Sequence, residues 1–244
     1  MNEEANLTLR HLLKSPNSSS DQFLRFSYAV LTSTLMGFSV SSTSDPYIVT
    51  DQQFRRRFMA TFRLDIFPSN VLGFLRKLPS RLIPSYSAME RLRKDHLEQM
   101  MAVRRRIEKT VNDGTAKDTI YQHFLKNRED YNITDEELMF TYQAIIGAGT
   151  NNPQQALLTS LSLLMEHPEW QKKLQQEIEQ VVGRERIPNF GDIPHLPLAR
   201  AITKEAIRIR GCRREAGLPR RLMEDDFYDG YFFEKGTVFH MNFL

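Results

Sequence analysis

Apolar residues recur at intervals of three and four through most of residues 1–210, the spacing that gathers side chains on one face of a helix. Residues 7–13 predict a short helix, stopped by Pro16 and the Ser18-Ser19-Ser20 run. Asp21 is suited to cap a second helix over 22–37, and Asp51 a third over 52–62. Between 67 and 84 the pattern is broken by Pro68, Pro79 and Pro84, which predicts loops with short helical turns. Ser87 and Glu90 then have the form of a capping box. Behind them Met89, Leu92, His96, Met100, Val103, Ile107 and Val111 form one helix face, and Gly114 is a suitable stop. On that face His96 reads as a packed or half-exposed histidine, since no second donor sits one turn away. Residues 115–127 predict a further short helix.

Thr134 and Glu137 form a second capping box, opening the longest helical pattern in the chain, to about residue 166. Pro153 lies inside it and removes a ladder bond, so a kink or local opening is expected. His167-Pro168 starts another helix, which ends at Gly183. After a loop punctuated by Pro188, Pro194 and Pro197, a helix follows over 198–210. Beyond Gly211 the pattern becomes extended, with short strands expected over 218–223, 231–233 and 237–243 and a turn at Glu234-Lys235-Gly236. The fold class is therefore mainly α with a small β region. A single domain over 1–244 is expected, helical over 1–210 and built of short strands over 217–244.

Composition narrows the function. The 244 residues are 41% hydrophobic and 26% charged, enough for a sizeable core in an otherwise ordinary surface. The net charge of +3 gives no dense basic face, which argues against a nucleic-acid partner. Arg55-Arg56-Arg57 and Arg104-Arg105-Arg106 read as solvated helix faces. One cysteine, Cys212, excludes an internal disulfide or a cysteine-rich zinc site. The six histidines show no metal-gathering spacing, so no metal ligand is assigned. Residues 23–40 are broken by Ser27, Thr32, Ser33, Thr34 and Gly37 and read as a buried or amphipathic helix rather than a membrane span.

The chemistry is carried by an ordered set of short motifs. Glu205 and Arg208 are three apart on a helix and can pair. Upstream lies Ile145-Ile146-Gly147-Ala148-Gly149-Thr150-Asn151-Asn152-Pro153, then Leu163-Leu164-Met165-Glu166-His167-Pro168-Glu169-Trp170. Downstream come Gly217-Leu218-Pro219-Arg220-Arg221 and a turn-rich segment to Gly236-Thr237. This order and spacing resembles the cytochrome P450 family of haem-thiolate monooxygenases, most clearly over 134–244. The wording is most similar to fungal enzymes of secondary metabolism.

The resemblance implies a partial cytochrome P450 fold and haem as cofactor. The implied activity is oxidation of a hydrophobic small molecule in fungal secondary-metabolite biosynthesis, with electrons from an NADPH-dependent reductase. The central long helix would cross the haem at Ala148 and Gly149, small residues that let a backbone approach a flat ring. The family's acid and alcohol, which relay protons during oxygen activation, match Asn151 and Asn152, and amides cannot deliver a proton as an acid does. Glu205 and Arg208 would form the structural pair that buttresses the haem loop, and Arg220 would contact a haem propionate. The axial cysteine of the family sits in a phenylalanine-led, glycine-rich loop beyond these strands, a setting Cys212 lacks. The chain is thus expected to be truncated before that loop and inactive alone. The alternative is a catalytically inactive, degenerate relative with at most a binding or scaffolding role. The resemblance also implies the cytoplasmic side of the endoplasmic reticulum membrane if an anchor precedes residue 1, and the cytoplasm otherwise.

Overall fold

The computed structural model describes residues 1–60, 72, 79, 84–114, 119–210 and 220–240. They fall into two compact units that divide between Asn151 and Asn152. In the first unit lie α1 (Asn2–Lys14), α2 (Ser19–Met36), α3 (Pro46–Ala60), α4 (Pro84–Asn112), α5 (Ile120–Lys126), α6 (Arg128–Tyr131) and the first part of α7 (Asp135–Glu166). Its core is built on α2, where Tyr28, Ala29 and Met36 meet Val40, Ile48, Ile107, Tyr142 and Ile146, all buried almost completely.

α1 begins at Asn2 rather than near residue 7 and α5 at Ile120 rather than at 115; three further helix starts differ from the expected ones, each for a local reason. α3 begins at Pro46 because Asp45, not Asp51, is the cap: its Oδ1 accepts the amide of Tyr47 at 2.9 Å. Pro46 also presets φ at the first helical position. α4 begins at Pro84, a turn before Ser87, because proline is as good a first residue as it is a poor interior one. α2 begins at Ser19, which places Asp21 inside the first turn, and it ends at Gly37, whose φ of +80° is a left-handed stop. The Thr134 box is present as expected: Thr134 Oγ1 accepts the amide of Glu137 at 3.2 Å, and Glu137 accepts the amide of Thr134 at 2.8 Å. α5 is capped by Thr119, which accepts the amide of Gln122 at 3.2 Å. Most of the loop expected over 67–84 lies outside the described residues.

Arg25 is buried in this unit. Its guanidinium donates to Glu4 at 2.9 Å, to Thr8 Oγ1 at 2.7 Å and to the Val40 carbonyl at 3.4 Å, tying α1 and the segment after α2 to the middle of α2. Burying a charge costs several kcal/mol unless it is paired in this way.

The second unit holds the rest of α7, α8 (Pro168–Val181) and α9 (Pro197–Ile209), then two antiparallel strand pairs. β1 (Arg220–Arg221) pairs with β4 (Val238–Phe239), and β2 (Asp226–Tyr228) with β3 (Tyr231–Phe233). The strands expected over 218–223, 231–233 and 237–243 correspond to β1, β3 and β4 within the described residues. β2 was not expected. It is formed because Asp229 and Gly230 both take positive φ, 50° and 82°, the turn that best matches strand twist. α9 is capped across the chain: Glu177 of α8 accepts the amides of Leu198 at 2.7 Å and Ala199 at 3.0 Å. Arg210 forks onto Glu166 at 2.7 and 2.8 Å, linking the ends of α9 and α7.

A short turn at Phe190–His195 is held by Asp192, which accepts the amide of Asn189 at 2.8 Å and a two-pronged bond from Arg186 at 2.6 and 2.7 Å. The Arg186 guanidinium, then the Asn189 amide, hold the Asp192 carboxyl down at about 2, below its ordinary 3.8. A depressed carboxyl stabilises the fold above the unfolded-state value and loses that contribution as pH falls through the folded-state value. The stability advantage of the natural chain over Asp192→Asn is therefore expected to hold above pH 3.8 and to shrink between 3.8 and about 2. Urea midpoints measured across that window check it, and an advantage that stays constant down to pH 2 contradicts it.

Candidate functional site

The segment singled out in α7 has two contrasting sides. Tyr142, Ile146 and Thr150 follow one another at four-residue intervals and are buried; Thr150 returns its hydroxyl to the Ile146 carbonyl at 2.9 Å. Ala144, Ile145, Ala148, Asn151 and Asn152 are exposed. Ala144, Ala148 and Asn152 share one face by the helical repeat, so a strip of small side chains ends at an amide. Gly149 faces another way. A Cβ placed on it would lie 2.8 Å from Cδ1 of Leu31 in α2, so the space freed by glycine is filled by Leu31. Ala148 is exposed, and Gly149 makes the helix contact. Pro153 is accommodated within a continuous helix.

Behind the buried side stands a polar network that sequence reading did not anticipate. Asp51 accepts from the Tyr28 hydroxyl at 2.5 Å, from Arg55 Nε at 2.7 Å and from the Gln143 side chain. Arg55 then donates to two carbonyls of α7, Gly147 at 2.6 Å and Ile146 at 3.0 Å. Burial first, and then the Asp51 charge, push the Tyr28 phenol well above its usual range, so it stays a hydrogen donor. The Arg55-Arg56-Arg57 run is not simply a solvated face, because its first member is half-buried in this network. His96 is the packed histidine expected: it stacks on Phe54 with ring centres 3.8 Å apart, and burial lowers its pKa. It borders a cavity of about 230 Å³ with Tyr47, Asp51, Met100 and Gln143.

In the second unit Glu205 and Arg208 form the two-pronged pair expected, one bond at 2.8 Å. Arg208 holds the Glu205 carboxyl below its ordinary value. Both side chains are more than half exposed, so the bond is a surface pair whose strength solvent and salt screen. Glu205 lies at the rim of an apolar cavity of about 420 Å³, bordered by Leu163, His167, Trp170, Leu198 and Ile202. Arg220 is exposed on β1, opposite Phe239. Cys212, like Gly217 and Leu218, lies outside the described residues. Among the described residues no helix is long and apolar enough to cross a membrane.

These residues fit haem in part. In the first unit the Ala144–Ala148 strip is of a kind that suits the face of a flat apolar ring; in the second, taken by itself, the exposed Arg220 guanidinium is of a kind that pairs with a carboxylate. The single cysteine of the sequence is Cys212, so nothing described supplies a thiolate.

The family model of cytochrome P450 matches residues 1–244, and the chain belongs to that family. It is 54% identical over 243 residues to the cytochrome P450 monooxygenase psoD of Aspergillus fumigatus, covering 100% of this chain and 47% of that one. It is 28% identical over 242 residues to cytochrome P450 monooxygenase 58 of Postia placenta, covering 96% of this chain and 45% of that one. The fold is similar to that of a zebrafish cytochrome P450 solved with progesterone, with a TM-score of 0.70 and 23% identity over 99% of this chain and 55% of that one. The chain thus spans about half the length of the relatives it matches.

Proposed function

We propose that this chain is part of a haem-dependent monooxygenase that oxidises a hydrophobic small molecule in fungal secondary metabolism. The observation that carries the reading is the exposed small-residue strip of α7, Ala144 to Ala148, set in the motif order of the family. The 54% identity to a fungal monooxygenase supports the reaction class. Ala148 would lie against the ring, Arg220 would bind a propionate, and Glu205 with Arg208 would buttress the haem-binding loop. Haem would supply oxygen activation, and an NADPH-dependent reductase its electrons. Residues 1–244 would belong to one partial domain of that enzyme. If an anchor precedes it, the protein sits on the cytoplasmic side of the endoplasmic reticulum membrane; otherwise it is cytoplasmic.

A second reading is favoured by Asn151 and Asn152. At the proton-relay positions two amides orient hydrogen bonds but donate no acidic proton, which suits a relative that binds without turning over.

Two preparations test both. Residues 1–244 alone, supplied with haem, reduced and treated with carbon monoxide, are expected to give no thiolate-type Soret band and no product. A thiolate-type band from them refutes the claim that Cys212 is not a ligand. The same residues fused to the second half of the Aspergillus fumigatus relative are expected to give the thiolate-type band and, with reductase, oxidised product. A fusion that folds but takes up no haem sinks the first reading. One that takes up haem and never forms product leaves only the second.

A further inference from the structure

The backbone oxygens of α7 are unusually contested at the candidate site. The Ile146 carbonyl accepts from Thr150 Oγ1 at 2.9 Å and from Arg55 Nη2 at 3.0 Å. A carbonyl oxygen has two lone pairs, so the amide of Thr150, its regular helical partner, competes with two side chains. The Gly147 carbonyl accepts from Arg55 Nη1 at 2.6 Å beside its regular helical partner, the amide of Asn151, and its two lone pairs serve both. Pro153 has no N–H to give to the Gly149 carbonyl. Arg55 is not free to swing away: its Nε is bound to Asp51 at 2.7 Å, and Asp51 is held in turn by Tyr28 and Gln143. Threonine back-bonding, an inserted side chain and a proline each weaken a helical ladder.

We infer that Arg55, fixed by Asp51, is a positioning residue that loosens the α7 ladder at Thr150 and couples the placement of α3 to that segment. The purpose of the coupling, setting the strip that faces the cofactor, rests on the function proposed above; the loosening itself does not.

Arg55→Lys keeps a cation beside Asp51 but replaces a planar fork with a single ammonium. Amide exchange followed residue by residue by NMR on the 244-residue chain reads the effect without haem. The Thr150 amide is expected to exchange about fivefold more slowly in Arg55→Lys, as the loss of a competitor worth about one net hydrogen bond implies. Amides of α8 are expected to be unchanged. If Arg55 merely docked α3, the Thr150 amide would exchange faster, and unchanged or faster exchange overturns the inference. The natural chain gives a measurement that survives misfolding of the variant. There, the Thr150 amide is expected to exchange about fivefold faster than the Ile146 amide, on the same reasoning. Equal rates overturn the inference. A slowed Thr150 amide in Arg55→Lys together with a haem-free fusion would retain the positioning role and remove the cofactor reading, so the two failures are distinct.

Discussion

Asp51→Ala is expected to destabilise the first unit by about 3–5 kcal/mol, the range for removing one partner of a buried ion pair. The magnitude follows from what is left behind. The Arg55 side chain is 14% exposed and would keep its charge without its carboxylate. The Tyr28 hydroxyl would lose its acceptor in a fully buried position. Gln143 would lose a bond as well. Because these groups act together, Tyr28→Phe added to Asp51→Ala is expected to cost much less than it does alone. Urea unfolding of the two single variants and the double variant measures this. A loss under about 1 kcal/mol for Asp51→Ala would show that solvent reaches the network, as it does for exposed pairs.

Glu4→Ala is expected to be nearly as costly, at about 3 kcal/mol. Here the stranded group is Arg25, whose side chain is 1% exposed against 18% for Glu4. Thr8 and the Val40 carbonyl would remain, but neither carries charge. Ser39 would also lose its bond to Glu4 at 2.8 Å. Replacing both charges at once, Arg25→Met with Glu4→Leu, is expected to cost far less, since an apolar pair of similar size needs no partner. Thermal melts of both proteins decide the point. Equal losses in the two would place the energy in packing rather than in the unpaired charge.

The parts of this protein that were legible in its sequence are those whose causes lie within one turn of chain. The Thr134–Glu137 box, the stripe from Leu92 to Ile107 (its expected ends Met89 and Val111 are exposed) and the order of long helices all depend on neighbours three or four residues away. Asp51 shows the limit of that reasoning. An aspartate ahead of an apolar run looks like a cap, yet Asp45 takes that role and Asp51 is buried among groups 23 and 92 positions distant. Arg25 and the Glu177 cap on α9 were unreadable for the same reason, since their partners are 15 to 22 residues away. The β2–β3 hairpin is a different case. Asp229-Gly230 is a strong local turn signal, and it was masked by the acidic run before it. At the candidate site the motif from Ala148 to Asn152 was legible as a family pattern. The two-sidedness of the segment depends on α2 and α3, which no local pattern encodes.

The contact between Gly149 and Leu31 makes these two positions share one volume. A methyl group gained on α7 at 149 would meet the end of the Leu31 side chain, which has to turn aside or be shortened unless the helices move apart. The sizes of the two side chains are therefore coupled. A substitution that looks harmless on one helix would register as a change in the spacing between both.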